Sequence, residues 1–393
     1  MAQSEATGGI GERRQLGLRM PLRALPVRVA LVVGGLVAAV LVLEALLRLC
    51  PVLWPRGSYC NGCVNPDLQL TVHCGPSIYT RAGWIRRVPN GDGFLEVDHA
   101  PRKPSGVTRV AFFGDSYVES LQVPLGDTFF RRLPREVARR TIEPLAFGIS
   151  GWGTLHSLMA YRVMGPRYDV DVVIYLFTKN DPGDHYARVQ RMPEPTAELS
   201  DDRMGFAVRM PDRSDTLSAR TLRFLGRRLE VAELIRNRLT LMQAQALTRR
   251  GASSPAAVAV PNPNDSPTTW PPEMRDEAAR LTRRILLEFR NEVVSEGRRF
   301  AVMYVPHGNE ELDGSLSSND TWLPWLAQTC AELGIDLWDP REYLRQRCAP
   351  AEPVYADHWT PAGHALIASF ITERLADAWA ANGDHANESA PPR

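Results

Sequence analysis

Hydrophobic positions along the chain fall into three regimes. The first is a run free of charged or strongly polar side chains from Val29 to Leu43, prolonged to Leu49 past Glu44 and Arg48. Some 20 residues at ~1.5 Å rise cross ~30 Å of hydrocarbon, so residues 29–49 predict a transmembrane helix. Glu44 and Arg48, four apart, share one face of it. The second regime, residues 51–105, is rich in Pro, Gly and Cys and lacks long periodicity. It predicts an irregular segment packed on the domain that follows.

The third regime alternates. Val107–Phe113, Pro144–Ile149, Asp169–Phe177, Phe300–Val305 and Ile335–Trp338 read as strands. The third is near-continuously apolar, as in strands buried on both faces. Asp127–Arg139, Thr154–Met164, Glu273–Glu296, Thr321–Leu333 and Ala362–Ala380 read as helices. Strands alternating with helices predict a parallel sheet between two helical layers over residues 106–382. Residues 183–272 interrupt the alternation with a helical stretch (Leu217–Thr248) and a Pro/Ser/Asn-rich loop, which predicts an insertion or cap without a core of its own. Residues 383–393 read as a disordered tail.

Composition narrows the class. Of 393 residues, 44% are apolar and 23% charged, which excludes a disordered or collagen-like chain. Lys plus Arg is 46 against 45 for Asp plus Glu, so there is no basic footprint and no nucleic-acid partner is expected. Charge matters locally instead. Arg13, Arg14, Arg19, Arg23 and Arg28 make residues 1–28 a basic tail, with no acidic residue between Glu12 and the apolar run. By the positive-inside rule the tail stays cytoplasmic, and the rest lies on the periplasmic side of the inner membrane, held to the bilayer by one span. A cleaved signal sequence is the rival reading; its apolar stretch is usually ~7–15 residues long, and Ala38-Ala39 here fall mid-span.

An exported compartment permits disulfides among the six cysteines. Bridging within Cys60, Cys63 and Cys74, and between Cys330 and Cys348, is expected. A zinc or redox site at Cys60-Asn-Gly-Cys63 lacks an evident fourth ligand and a surrounding thioredoxin-like unit. No metal or cofactor is called for.

In an open α/β sheet, ligands bind beyond the carboxyl ends of the strands. Those ends carry Gly114-Asp115-Ser116, Ser150-Gly151-Trp152-Gly153 and Thr178-Lys179-Asn180-Asp181, and Asp357-His358 precedes the last helix. A hydroxyl, a glycine amide, a carboxamide and an imidazole are the parts acyl transfer requires. Their order and spelling resemble the SGNH (GDSL) hydrolase superfamily, in its membrane-anchored bacterial branch. The four blocks match at Gly114-Asp-Ser116, Gly151, Asn180-Asp181 and His358, over residues 107–182 and 298–380.

The resemblance implies an α/β fold of flavodoxin-like, three-layer type with a central parallel five-stranded sheet. It implies Ser116 as nucleophile, His358 as base, and an oxyanion hole from the amides of Ser116 and Gly151 and the side chain of Asn180. The triad acid normally precedes the histidine by two or three residues; those positions are Ala356 and Tyr355, and Asp357 is adjacent instead. Neighbouring side chains in an extended loop diverge, so a triad through Asp357 and a Ser-His dyad both stay open.

Blander readings stand beside these. Gly-Asp-Ser alone is more often a turn, and Asp115 reads as tying that turn. His364 reads as packing near the last helix, His185 and His307 as loop residues, and Tyr117 as pointing into the fold. Trp152 and Trp359 fit either sugar stacking or the core. Asp181 and Asp184 lie near the mouth without a role. The function expected is an esterase cleaving acyl esters, acetyl esters of cell-envelope glycans among them. An acyltransferase onto a sugar hydroxyl and a noncatalytic envelope-binding module are the alternatives.

Overall fold

The structure, a computed structural model, describes residues 25–49, 62–74, 78–79, 86–190, 192–200, 205–211, 231, 260–348 and 352–381. The chain divides into two compact units, residues 1–50 and 51–393. In the first, Leu25–Leu49 is one helix, begun four residues before the expected span. Its 22-residue stretch Pro26–Leu47 is long and apolar enough to cross a membrane, by length and composition.

The second unit is built on a six-stranded sheet: β1 (Val107–Gly114), β2 (Glu136–Val137), β3 (Arg140–Gly148), β4 (Val172–Phe177), β5 (Arg299–Tyr304) and β6 (Asp336–Trp338). The order across it is β6-β5-β4-β1-β3-β2, parallel except for the β2–β3 pair. The chain starts in the middle, steps to one side for β3, then returns past β1 to β4. The resulting switch point lies between strands whose carboxyl ends open a crevice.

Strand alternation divides the core into two layers. Ala111 and Phe113 of β1 pack with Leu155, Phe289 and Val293 on one face, and Val110 and Phe112 pack with Phe129 and Ile371 on the other. β4 is buried at every position, as its unbroken apolar run requires.

Three expectations are corrected. The sheet has six strands rather than five, because the helix expected over Asp127–Arg139 is confined to Phe129–Arg132. Pro134 forces Leu133 into an extended conformation (φ −59°, ψ 136°) and ends the helix. The chain then turns through Ala138 and Arg139, both at positive φ, into an edge hairpin. β2 covers only Arg140 and Thr141 of β3, so Pro144 sits where a missing N–H on the sheet edge is tolerated.

Secondly, the Cys330–Cys348 bridge is not formed: Cys330 is a free, buried thiol. The helix carrying Cys330 (Leu323–Leu333) packs it against one face of the sheet, and Cys348, after β6, packs against the other. Thirdly, the leading segment contains structure. Gly62–Val64 pairs with Thr71–His73, and Ile78–Tyr79 with Arg86–Arg87. It is also tied to the foot of β1, where fully buried Arg109 donates to the carbonyls of Ala100, Pro101 and Tyr168 and to Glu143. Within the expected insertion, Thr196–Leu199 and Phe206–Arg209 form a hairpin. Apart from Val231, the expected helix over 217–248 lies outside the described residues, as do Cys60 and the tail 383–393.

Candidate active site

The ends of β1, β3 and β4 meet a turn formed by residues 354–360. Ser116 opens α1 (Ser116–Glu119), whose N-cap Asp115 accepts the Tyr117 N–H at 3.0 Å. The Ser116 hydroxyl lies 2.7 Å from His358 Nε2. His358 is held at the tip of the turn. Tyr355 bridges to Trp359, Ala356 N donates to the His358 carbonyl at 3.0 Å, and Thr360 N donates to the Val354 carbonyl at 2.9 Å. Tyr117 packs half-buried against the core layer that holds Phe129 and Trp359, as expected, but its ring is also part of the site. It lines the cavity, its ring 4.7 Å from the imidazole and 4.9 Å from Trp359, because the 354–360 turn packs directly on α1.

Asp357 reaches His358 Nδ1 at 3.1 Å. Adjacent side chains diverge along extended chain, but the closed turn brings these two to one side. An Nδ1–H donated to the carboxylate leaves Nε2 as acceptor for the serine proton. The carboxylate is 92% exposed, so water screens its hold on the ring.

Gly151 has φ +82°, and a Cβ built there would meet nothing within 4 Å. Backbone conformation rather than space therefore selects glycine after β3. Asn180 follows β4, and its Nδ2 donates to Asp184 Oδ2 at 2.5 Å and to Asp115 Oδ2 at 3.3 Å. Both amide hydrogens have carboxyl acceptors, so a substrate oxygen would share one of them.

Burial raises the pKa of all three carboxyls beneath Asn180, and Asp184 is pushed up to about 8. At neutral pH it is therefore protonated. Asp181 is not at the mouth: it is fully buried, accepting from Thr178 N at 3.0 Å, from Thr178 Oγ1 at 2.9 Å and from the Tyr175 hydroxyl.

These groups face a cavity of about 610 Å³, whose walls also carry Lys179, Gln190, Met192, Asn262, Asn264 and His307. Burial and the charge of Lys179 push the His307 imidazole down to about 4, and its Nε2 is buried without a hydrogen-bond partner. His185 lies in the turn after the short helix Asp181–Asp184, as expected of a loop residue, but not at the surface. It is fully buried with Nε2 3.1 Å from Thr282 Oγ1, because the long helix Pro272–Ser295 packs over it. His364 packs as expected, accepting the Phe129 N–H on Nδ1 at 3.1 Å. Trp152 and Trp359 are core side chains, 1% and 0% exposed, and present no face to a ligand.

The structure thus brings Ser116, His358, Asp357, Gly151 and Asn180 to one place. Sequence reasoning overlooked Glu119, which joins α1 to Ser150 beside Gly151. It also gave His307 no part in the cavity. A glutamate three residues after Ser116 was the available signal for the first; nothing local marks the second.

No family model matches the chain, and no curated protein matches it. Among solved structures it is similar to a lipase/acylhydrolase from Enterococcus faecalis (12% identity, 69% of this chain and 96% of that one, TM-score 0.36). It is also similar to an acetyl xylan esterase (12% identity, 68% and 99%, TM-score 0.37). A lipolytic protein of the G-D-S-L family from Veillonella parvula is a third (10% identity, 68% and 97%, TM-score 0.32).

Proposed function

We propose that the chain is an SGNH-type serine esterase cleaving acyl esters, acetyl esters on envelope glycans among them. The observation that carries this reading is the 2.7 Å contact between Ser116 Oγ and His358 Nε2, groups 242 positions apart. Ser116 Oγ attacks the ester carbonyl while its proton passes to His358 Nε2. The C–O bond to the alcohol then breaks, and that alcohol leaves with the proton from His358. Water, deprotonated by the same imidazole, attacks the acyl-serine and releases the acid. The amides of Ser116 and Gly151, with Asn180 Nδ2, are assigned to the oxyanion of both tetrahedral intermediates.

Polar walls at Lys179, Gln190, Asn262 and Asn264 favour an acylated carbohydrate over a long acyl chain. The apolar helix, preceded by four arginines and carrying a fifth, Arg28, in its first turn, is assigned to the inner membrane with the second unit on its periplasmic side.

The test is fluorophosphonate labelling together with hydrolysis of p-nitrophenyl acetate. Ser116→Ala should lose both, and His358→Ala nearly both. A wild-type chain that neither takes the label nor hydrolyses the ester sinks the reading. For the orientation, a reporter fused after Arg393 should be active only when exported.

A further inference from the structure

The leading segment enters the site through one buried carboxylate. Glu119 closes the helix that Ser116 opens and is 2% exposed. Its Oε1 accepts from His73 Nε2; its Oε2 accepts from the Ser150 hydroxyl and, at 3.2 Å, from the Ser150 N–H. Ser150 is bonded to Gly151. One side chain therefore couples the end of the nucleophile's helix to the loop bearing the second oxyanion amide.

His73, itself 3% exposed, comes from the hairpin of the leading segment, and its N–H donates to the Gly93 carbonyl at 3.0 Å. Gly93 has φ +93°, and a Cβ there would lie 2.5 Å from Val72 and 2.8 Å from the His73 carbonyl. The segment crosses itself at a contact that only glycine fits. Arg87 adds a second grip, donating to the carbonyls of Ser120 at 2.7 Å, Val123 at 2.9 Å and Leu95 at 2.6 Å. Two buried side chains of the leading segment thus hold the end of α1 and the stretch that directly follows it.

We infer that Glu119, oriented by His73, is a positioning residue setting the separation of Ser116 from the Gly151 amide, and that the leading segment is thereby part of the catalytic unit. The inference rests on the esterase reading. Oxyanion donors work within ~2.7–3.1 Å of the developing charge, and a displacement of ~1 Å costs about 10²-fold in rate. Removing a carboxylate that satisfies one buried and two part-buried donors frees both loops to shift.

The experiment uses the full chain, with p-nitrophenyl acetate as substrate and sites counted by the end point of fluorophosphonate labelling. Glu119→Ala should lower kcat per labelled site by about 10²-fold with KM changed less than about two-fold. Glu119→Gln, which keeps an acceptor for Ser150, should recover most of that loss. A purely structural role would lower the number of labelled sites and leave kcat per site alone, and that outcome overturns the inference. If Glu119→Ala does not fold, Ser150→Ala removes only the hydroxyl contact and should cost ~5–10-fold in kcat; an unchanged kcat there overturns it equally. A wild-type chain without label or turnover would overturn the esterase reading itself, and this inference with it.

Discussion

Asp357 and His358, neighbours in the chain, are also hydrogen-bond partners: the carboxylate stands 3.1 Å from Nδ1 while 92% exposed. A buried triad carboxylate is worth ~10⁴ in kcat because it alone holds the ring and faces the imidazolium. Here water shares both tasks. Asp357→Asn is therefore expected to lower kcat on p-nitrophenyl acetate by only about 10-fold, with high salt narrowing the gap. A loss approaching ~10⁴ would show that the exposed pair carries a full triad's weight, against this view.

Asn180 spends its amide on two carboxyls, at 2.5 Å and 3.3 Å, in the resting site. Asn180→Ala should cost on the order of 10²–10³ in kcat, with KM little changed, if a substrate oxygen takes over one of those hydrogens. It should also lower Tm, since Asp184 and Asp115 lose a donor in a buried site. Full activity in a destabilised variant would leave Asn180 as a brace for the carboxyls and nothing more.

The parts that local pattern controls were legible. The strand ends at Ser116, Gly151 and Asn180 and the turn at His358 follow from alternation plus the rule for α/β crevices, and the structure gathers them around one cavity. What was hidden is long-range or unmarked. The edge hairpin turns on Ala138 and Arg139, neither of which announces a positive φ as glycine would. The burial of His185, a turn residue, was hidden because its partner Thr282 lies 97 positions away. Glu119 was overlooked because its partner His73 lies 46 positions earlier in the chain. The reach of Asp357 stayed open because closure of the 354–360 turn depends on burying Tyr355 and Trp359.

Cys330 and Cys348 illustrate the same limit, and their placement is checkable. Burial, with Asp336 nearby, pushes the Cys330 thiol up to about 12, so it is both covered and poorly nucleophilic. In the folded chain Cys330 should resist alkylation; in denatured, unreduced chain it should alkylate completely. Peptide mass spectrometry reads both states. A Cys330–Cys348 peptide in the unreduced sample would contradict their packing on opposite sheet faces.

Asp184 should leave a signature in the pH dependence of stability. Burial holds its carboxyl protonated up to about pH 8 in the fold, whereas in the unfolded chain it ionises near its usual 3.8. Between those values the folded state binds the extra proton, so raising the pH favours unfolding; above about 8 both states are ionised and the slope vanishes. The wild type also contains buried histidines of the opposite tendency: His156 is pushed down to about 4 and His185 to about 3, which costs stability as pH falls below 6.5. Comparing wild type with Asp184→Asn cancels those shared contributions. The variant carries no titrating group at this position, so its advantage should be smallest near pH 4, grow steadily to about pH 8 and stay level beyond. At ~1.4 kcal/mol per pKa unit the full span amounts to a few kcal/mol, enough to move Tm by several degrees. Urea unfolding at a series of pH values measures the difference directly. A gap that stays constant from pH 4 to 8 would mean that Asp184 is already ionised in the folded chain, and that Asn180 faces a charged carboxylate rather than a neutral acid.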